Sequence, residues 1–305
     1  MNGIIPLYKP RGMTSFDCIR KLRRLLHVKK MGHSGTLDPD VDGVLVICVG
    51  GATKVTGHLM TLGKVYQGTV TLGEATSTED LSGKIIRRQR LNQPVASELI
   101  QQQMRQLVSS RLVQIPPMYS AIRVHGHHLY EYARKGISVR RPRHVVSVND
   151  FRLIRPSRFL SRRHQQVLYF EVSCGKGTYV RTLATDLGRL LKVPAVMSDL
   201  TRVKSGGFDI HQTLTFQQLR SGFKRHRLNQ LIRPISDAYP TTPIHNLTTE
   251  QWQRVQNGAF LYLDDFKKPS RLTNVLLNFR HSTKALYGYD RHRQCYRPVK
   301  MFSTK

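Results

Sequence analysis

The chain has 305 residues, with 49 Lys and Arg against 19 Asp and Glu, giving a formal net charge of +30 at pH 7. A hydrophobic content of 39% supports one large domain, or a main domain with a small appendage, and excludes a disordered tail protein. An excess of positive charge on this scale calls for a polyanionic partner, and no apolar run approaches the ~18 residues of a membrane-spanning helix, so nucleic acid is the expected partner and membrane is not. The opening MNGIIPLYKPRGM lacks the apolar core of a signal peptide, which points to the cytoplasm. Cys18, Cys48, Cys174 and Cys295 lie far apart with no Cys-x-x-Cys, so reduced, partly buried thiols are expected rather than a zinc or disulfide framework.

Residues 14–28 predict a first helix, capped by Thr14 or Ser15, with Phe16, Ile19, Leu22, Leu25 and Leu26 at helical spacing. Arg20, Lys21, Arg23 and Arg24 fall mostly off that stripe and give the helix a basic outer face. The next stretch, GHSGTLDPDVDGVLVICVG (32–50), joins a glycine-rich polar turn to a short apolar run. Asp38 sits in the turn before Pro39, which biases it towards an extended backbone. Read alone, an aspartate held there is first of all ordinary turn chemistry, its side chain bonding its own backbone; a carboxylate fixed on such a turn can also act as a nucleophile or a base. Thr53 to Met60 predicts a short helix and Val65 to Leu72 a strand with Tyr66, Gly68, Val70 and Leu72 on one face. On that face Tyr66 reads as a core tyrosine or as an aromatic plate for a base.

Beyond a polar turn at 73–84, Val95 to Leu107 predicts a helix with Leu99, Ile100, Met104 and Leu107 inward. The segment QIPPMYSAIRVHGHHLYEYARKG (114–136) mixes prolines, tyrosines, histidines and basic residues, and His125, His127 and His128 read as part of an RNA-facing surface rather than as metal ligands. From Arg134 to Arg163 there are ten Lys and Arg and one acid, Asp150, a density that suits phosphate contact and base stacking. Val167 to Cys174 predicts a strand that runs through Gly175-Lys176-Gly177-Thr178 into a helix with Val180, Leu183, Leu187, Leu190 and Leu191 on one side. Arg181 falls in the first turn of that helix, where a cation opposes the dipole and calls for an anionic partner. Leu200 to Phe208 predicts a strand and turn, and Thr215 with Gln218 a capping box for a helix through about Leu231. Proline-rich text at 235–243 marks a boundary, after which Thr248 with Gln251 caps a short helix and the runs 275–279, 285–289 and 295–301 suggest a small β-barrel.

Four stretches taken together, GHSGTLDPDVDGVL, KVYQGTVTLG, QIPPMYSAIRVHGHHLYEYARKG and CGKGTYVRTLATDLG, resemble in order and spacing the TruB family of tRNA pseudouridine-55 synthases. IIPLYKPRGMTSFDCIRKLRR resembles the same family's N-terminus. The resemblance implies an α+β fold: a mixed, mainly antiparallel sheet flanked by helices over residues 1–236, with a mobile RNA-binding insertion at 119–145 and a PUA-like RNA-binding barrel at 240–305. It implies that Asp38 is the catalytic aspartate, that Tyr66 stacks on the target uracil and that Arg181 pairs with Asp38. His33 matches a histidine that holds the extruded T-loop nucleotides, Tyr179 and Leu200 match positions lining the uracil pocket, and Lys9-Pro10 matches a structural motif. The chain departs from the family pattern at Val41, Asp42, Val46 and Arg123, none of which bears the chemistry.

The implied reaction isomerises uridine at position 55 in the T-loop of tRNA, with the base flipped out of its stack. It involves no redox change or net hydrolysis, so no cofactor or metal is expected. The expected partner is the T-arm of tRNA, with Arg140, Arg141 and Arg143 on its phosphates; the chain is expected to be a monomer without an obligate protein partner. A non-catalytic RNA-binding or RNA-folding protein would account for the charge but not for the ordered set Asp38, Tyr66 and Arg181. A hydrolase using Ser34, His33 and Asp38 is disfavoured, because triad members come from separate segments and Gly-His-Ser-Gly lacks the Gly-x-Ser-x-Gly spacing.

Overall fold

The computed structural model describes residues 1–266 and 274–304; residues 267–273 and 305 of the expected C-terminal unit lie outside them. Strand β1 (Gly3–Lys9) leads into helix α1 (Ser15–Leu26), capped by Thr14, whose Oγ1 accepts from the Asp17 amide while Asp17 accepts from the Thr14 amide. Ser15, Ile19, Leu22 and Leu26 face the core. Phe16 does not: it lies about 100° round the helix from Ser15 and stays 56% exposed under Arg20 and Arg23.

Strands β2 (Met31–His33) and β3 (Asp42–Val49) flank the glycine-rich turn. A 3-10 turn at Gly50–Val55 runs into helix α2 (Thr56–Thr61), where one short helix was expected, and β4 (Lys64–Leu72) follows. Much of the 73–84 polar turn belongs to a hairpin of β5 (Glu74–Thr76) and β6 (Ile85–Arg88). Helix α3 (Ser97–Gln106) buries Ile100 and Met104 and turns Leu99 outward, a step of about 100° along the helix away from Ile100. Next come β7 (Ser109–Gln114), the small hairpin of β8 (Arg123–Val124) and β9 (His127–His128), and helix α4 (Leu129–Arg134).

The arginine-dense run departs most from expectation. Its second half is a 17-residue strand, β10 (His144–Leu160), paired to β7 and to β11 (Gln165–Cys174). Arg152 is ion-paired with Asp150 and Glu171, and Arg155 lies 3.5 Å over the Tyr169 ring. These two arginines therefore brace the sheet, because a strand alternates its side chains and brings cross-strand partners within reach.

Helix α5 (Val180–Leu190) buries Val180, Leu183 and Leu187 and leaves Leu190 exposed in its last turn. Strand β12 (Ala195–Ser205) starts five residues before the expected Leu200 and turns through Gly206 and Gly207 into β13 (Phe208–Asp209). The expected helix 215–231 is two, α6 (Phe216–Lys224) and α7 (Leu228–Leu231), separated at His226, whose φ of 53° is left-handed.

The large sheet runs β1-β3-β12-β4-β11-β10-β7, with β2 and β13 added at β3 and β12. Among its described pairings only β3 with β12 is parallel. Beyond Pro243, β14 (Ile244–Asn246), helix α8 (Thr249–Val255), β15 (Leu261–Tyr262), β16 (Asn274–Phe279), β17 (Ser282–Asp290) and β18 (Cys295–Met301) form a curled five-stranded sheet in the order β14-β16-β17-β18-β15. Leu276, Leu286 and Phe302 of this unit share one apolar cluster with Ile4, Val46, Ala52 and Leu59 of the large sheet and its 3-10 turn and helix. The architecture is thus α+β, with a large mixed sheet flanked by helices and a small half-barrel. No helix among the described residues is long and apolar enough to cross a membrane.

Candidate active site

One transverse row of the large sheet organises the site. In register, Lys9 of β1 pairs with Gly43 of β3, Gly43 with Arg202 of β12, Arg202 with Tyr66 of β4, and Tyr66 with Val172 of β11. Gly43 has φ +106°, and a Cβ there would lie 2.2 Å from the Arg202 carbonyl oxygen, so the close parallel approach of β3 to β12 requires glycine. The turn between His33 and Asp42 projects from the end of this row.

Several contacts hold the turn that carries Asp38. Lys9, fully buried, donates from Nζ to the carbonyls of Pro10 (2.9 Å) and Pro39 (3.1 Å). Ser15 at the start of α1 accepts from the Leu37 amide at 2.9 Å and donates to its carbonyl at 3.2 Å. Arg202, 1% exposed, donates to the carbonyls of Gly35 (3.0 Å), Thr36 (3.3 Å) and Val44 (2.8 Å). Its neighbour Thr201 donates to Asp42 at 2.6 Å, and Tyr8 donates to the other oxygen of that carboxylate at 2.8 Å. Consecutive residues of β12 therefore grip both flanks of the turn.

Asp38 meets Arg181 at 2.9 Å. The guanidinium is almost fully buried, also approaches Asp80 at 3.4 Å, and donates to the carbonyls of Thr78 (3.3 Å) and Tyr119 (3.1 Å). The cation set against the α5 dipole thus finds two carboxylates and two carbonyls. Asp38 keeps 45% of its side-chain surface open to the cleft although protein surrounds it on its other sides. The net effect of those surroundings is to raise its pKa: desolvation is the largest influence, Arg181 opposes it, and Asp80 adds to it. Arg181 acts in the expected direction but does not prevail.

Two adjoining cavities, of about 540 and 360 Å³, meet at Asp38, Val41, Arg181, Met197 and Leu200. Tyr66 lines the second, largely buried, with Arg202 6.0 Å from its ring centroid; burial raises its pKa, so the phenol stays neutral. Tyr179 lines the same cavity, its backbone held at both ends by the Gln114 side chain (3.0 and 3.3 Å). His33 lies on β2 outside both linings; its Nδ1 accepts from the Gly35 amide at 3.3 Å, and burial together with Arg202 lowers its pKa. Arg140 and Arg143 are exposed in the loop before β10, whereas Arg141 donates to the Pro116 carbonyl at 3.0 Å and lies 3.9 Å from Glu79. Ser34 Oγ is buried with no hydrogen-bond partner among the described residues, so Ser34, His33 and Asp38 form no relay there. His128 contacts the Ala121 carbonyl at 2.8 Å and His127 approaches Glu131 at 3.5 Å; no cluster of three metal-ligating side chains occurs among the described residues. A larger groove of about 990 Å³ between α1 and α6 contains none of these acids and lies away from the chemistry.

Sequence reasoning missed Asp80, Thr201 and Arg202. Asp80 sat in a segment read as a polar turn, with only the scarcity of acids in this chain to mark it. Arg202 gave no signal, because its partners are backbone carbonyls that no sequence pattern records.

The fold is shared with a chain of a Cbf5-Nop10-Gar1 complex, at a TM-score of 0.70 and 24% identity over 99% of this chain and 85% of that one. It is also shared with a chain of an H/ACA RNP bound to a substrate RNA containing 2'-deoxyuridine, at a TM-score of 0.69 and 22% identity over 99% of this chain and 85% of that one. These likenesses define the architectural class. Residues 23–180 match the TruB family pseudouridylate synthase N-terminal domain, and residues 181–239 match the tRNA pseudouridylate synthase B C-terminal domain. The tRNA pseudouridine synthase B of Lactiplantibacillus plantarum is 50% identical over 306 residues, covering 100% of this chain and 99% of that protein. That of Pediococcus pentosaceus is 49% identical over 305 residues, covering both chains completely. The chain belongs to the TruB family.

Proposed function

We propose that this protein isomerises uridine to pseudouridine in tRNA, at position 55 of the T-loop. The observation that carries the proposal is the 2.9 Å pair of Asp38 with the buried Arg181, at the junction of two cavities that share Leu200, the second of them also walled by Tyr66 and Tyr179. In the reaction the N1–C1′ bond breaks, the base turns, C5 bonds to C1′, the C5 hydrogen leaves as a proton and N1 gains one. Asp38 acts either by adding to C1′ or by removing a sugar proton, and both routes require it ionised. Arg181 favours that state and fixes the carboxylate in place. Tyr66 presents a neutral aromatic face for stacking on the uracil, Tyr179 and Leu200 close its sides, and His33 replaces stacking lost when the base leaves the T-loop.

Residues 1–236 form the catalytic unit in this reading, the 119–145 segment closes over the RNA, and 240–305 add an RNA-binding surface. Arg140 and Arg143 meet phosphates directly, while Arg141 does so from its anchored position beside Pro116. The protein works as a cytoplasmic monomer on the T-arm. Tritium release from tRNA labelled at uridine C5 reads the new bond directly. The wild type releases about one tritium per tRNA, lost when the T-loop uridine is changed, whereas Asp38→Asn binds tRNA and releases none. Release by Asp38→Asn at the wild-type rate removes Asp38 from the mechanism.

A further inference from the structure

The groove between α1 and α6 lies outside everything the reaction uses. Arg20, Lys21, Arg24, Arg220 and Lys224 rim it, all exposed, and the half-buried rings of Phe216 and Phe223 form its floor. Lys21 Nζ sits 4.4 Å over the Phe216 ring, and the His27 ring lies 5.8 Å from Phe223. The one acid at the rim, Asp17, already serves the Thr14 cap and accepts Arg20 at 3.1 Å. From residue 210 to residue 236 the chain carries no Asp or Glu at all. Four cations thus converge from two helices without a carboxylate among the described residues to balance them, an arrangement that repels itself until an anion enters.

Position narrows the choice of anion. Ser15, at the first turn of α1, is bonded to the backbone of Leu37, next to Asp38. A twelve-residue helix is about 18 Å long, so the groove runs outward from the catalytic turn and all of it lies within reach of an RNA held there. Cations rimming aromatic plates are the surface on which a ribose-phosphate backbone binds and its bases stack. We infer that the α1–α6 groove is a second RNA-docking surface, which takes the backbone of the same tRNA outside the T-arm. This rests on tRNA being the substrate.

The test uses the full chain with Lys21, Arg24, Arg220 and Lys224 all changed to Ala, exposed positions whose loss leaves the core intact. Binding of full-length tRNA and of an isolated T-arm hairpin is measured as log Kd against log salt, with single-turnover product formation on the hairpin alongside. For full-length tRNA the slope falls in magnitude by about three, at somewhat less than one for each phosphate no longer neutralised, and affinity near 0.1 M salt drops at least tenfold. The hairpin keeps its affinity and its single-turnover rate. Phe216→Leu, which keeps an apolar floor but removes the plate, weakens full-length tRNA alone, by a smaller factor. Unchanged binding of full-length tRNA in the quadruple variant overturns the inference and leaves the groove to an acidic protein or to solvent. An equal loss on both RNAs also overturns it, by placing these cations in the T-arm site. Failure of wild type to isomerise the hairpin would count against the proposed function instead, since the binding comparison stands without turnover.

Discussion

Asp38 is subject to two opposed influences. Burial and Asp80 push its pKa above the ordinary 3.8, and Arg181 draws it down, with burial the largest effect and the net shift upward. A carboxyl with a raised folded-state pKa binds its proton more tightly in the native chain than in the unfolded one. Stability therefore declines as pH rises through the interval between the two values, and activity, which needs the ionised form, appears over the same interval. The acid limb of kcat/KM accordingly lies above the usual aspartate range. Arg181→Met moves that limb to higher pH because the attraction is lost, and Asp80→Asn moves it to lower pH because a like charge is lost, with the maximal rate reduced in both. Limbs that coincide in all three proteins would assign the titration to another group.

Among elements, β12 does the most to build the site. Its Leu200 lines both cavities, its Thr201 holds Asp42, and its Arg202 holds the carbonyls on either side of the catalytic turn. This requires β3 to run close beside it, in parallel, at Gly43. Gly43→Ala places a Cβ against backbone at 2.2 Å in a left-handed region, a double penalty that the neighbouring strand can relieve only by moving away. Single-turnover rate on tRNA should fall at least a hundredfold in Gly43→Ala while tRNA affinity changes by less than threefold. A rate within a factor of two of wild type would mean that the β3–β12 approach does not set the position of Asp38.

At the scale of the whole molecule, the two sheets share an apolar cluster and are joined at several further points. Lys54 donates to the Met301 carbonyl at 2.6 Å, Lys300 donates to the Lys54 carbonyl at 2.9 Å, and the Tyr239 ring, stacked on His58, lies 6.4 Å from that of Phe302. Phe302 is buried among Ile4, Val46 and Leu276, partners drawn from both sheets. Truncating it leaves a cavity between the units, so Phe302→Ala costs about 3 kcal/mol. The two units share this cluster, so urea unfolding of the wild type follows one transition. Two transitions in the wild type, or an unchanged midpoint in Phe302→Ala, would show that the units are energetically separate.

Much of this protein was determined by local sequence. The strands β4 and β11, a helix cap at Thr14 or Ser15, the capping box at Thr215, the cap at Thr248, and the need of Arg181 for an anionic partner follow from spacing and helix-end chemistry, which act between near neighbours. Asp38 stood out through its motif, on a turn bounded by glycines. Other features depend on which strand lies beside which. Periodicity could not say that Phe16, Leu99 and Leu190 face solvent, since a stripe is defined only once a neighbour covers it. The second half of the arginine run became a strand because β7 and β11 pair with it, and its cations found Asp150 two residues along the same strand and Glu171 and Tyr169 on the neighbouring one. Asp80 and Arg202 reach the site only through long-range packing, 42 and 164 residues from Asp38 in the chain. Chain spacing carries the chemistry of each residue, and the distances between residues so far apart exist only after the sheet has closed.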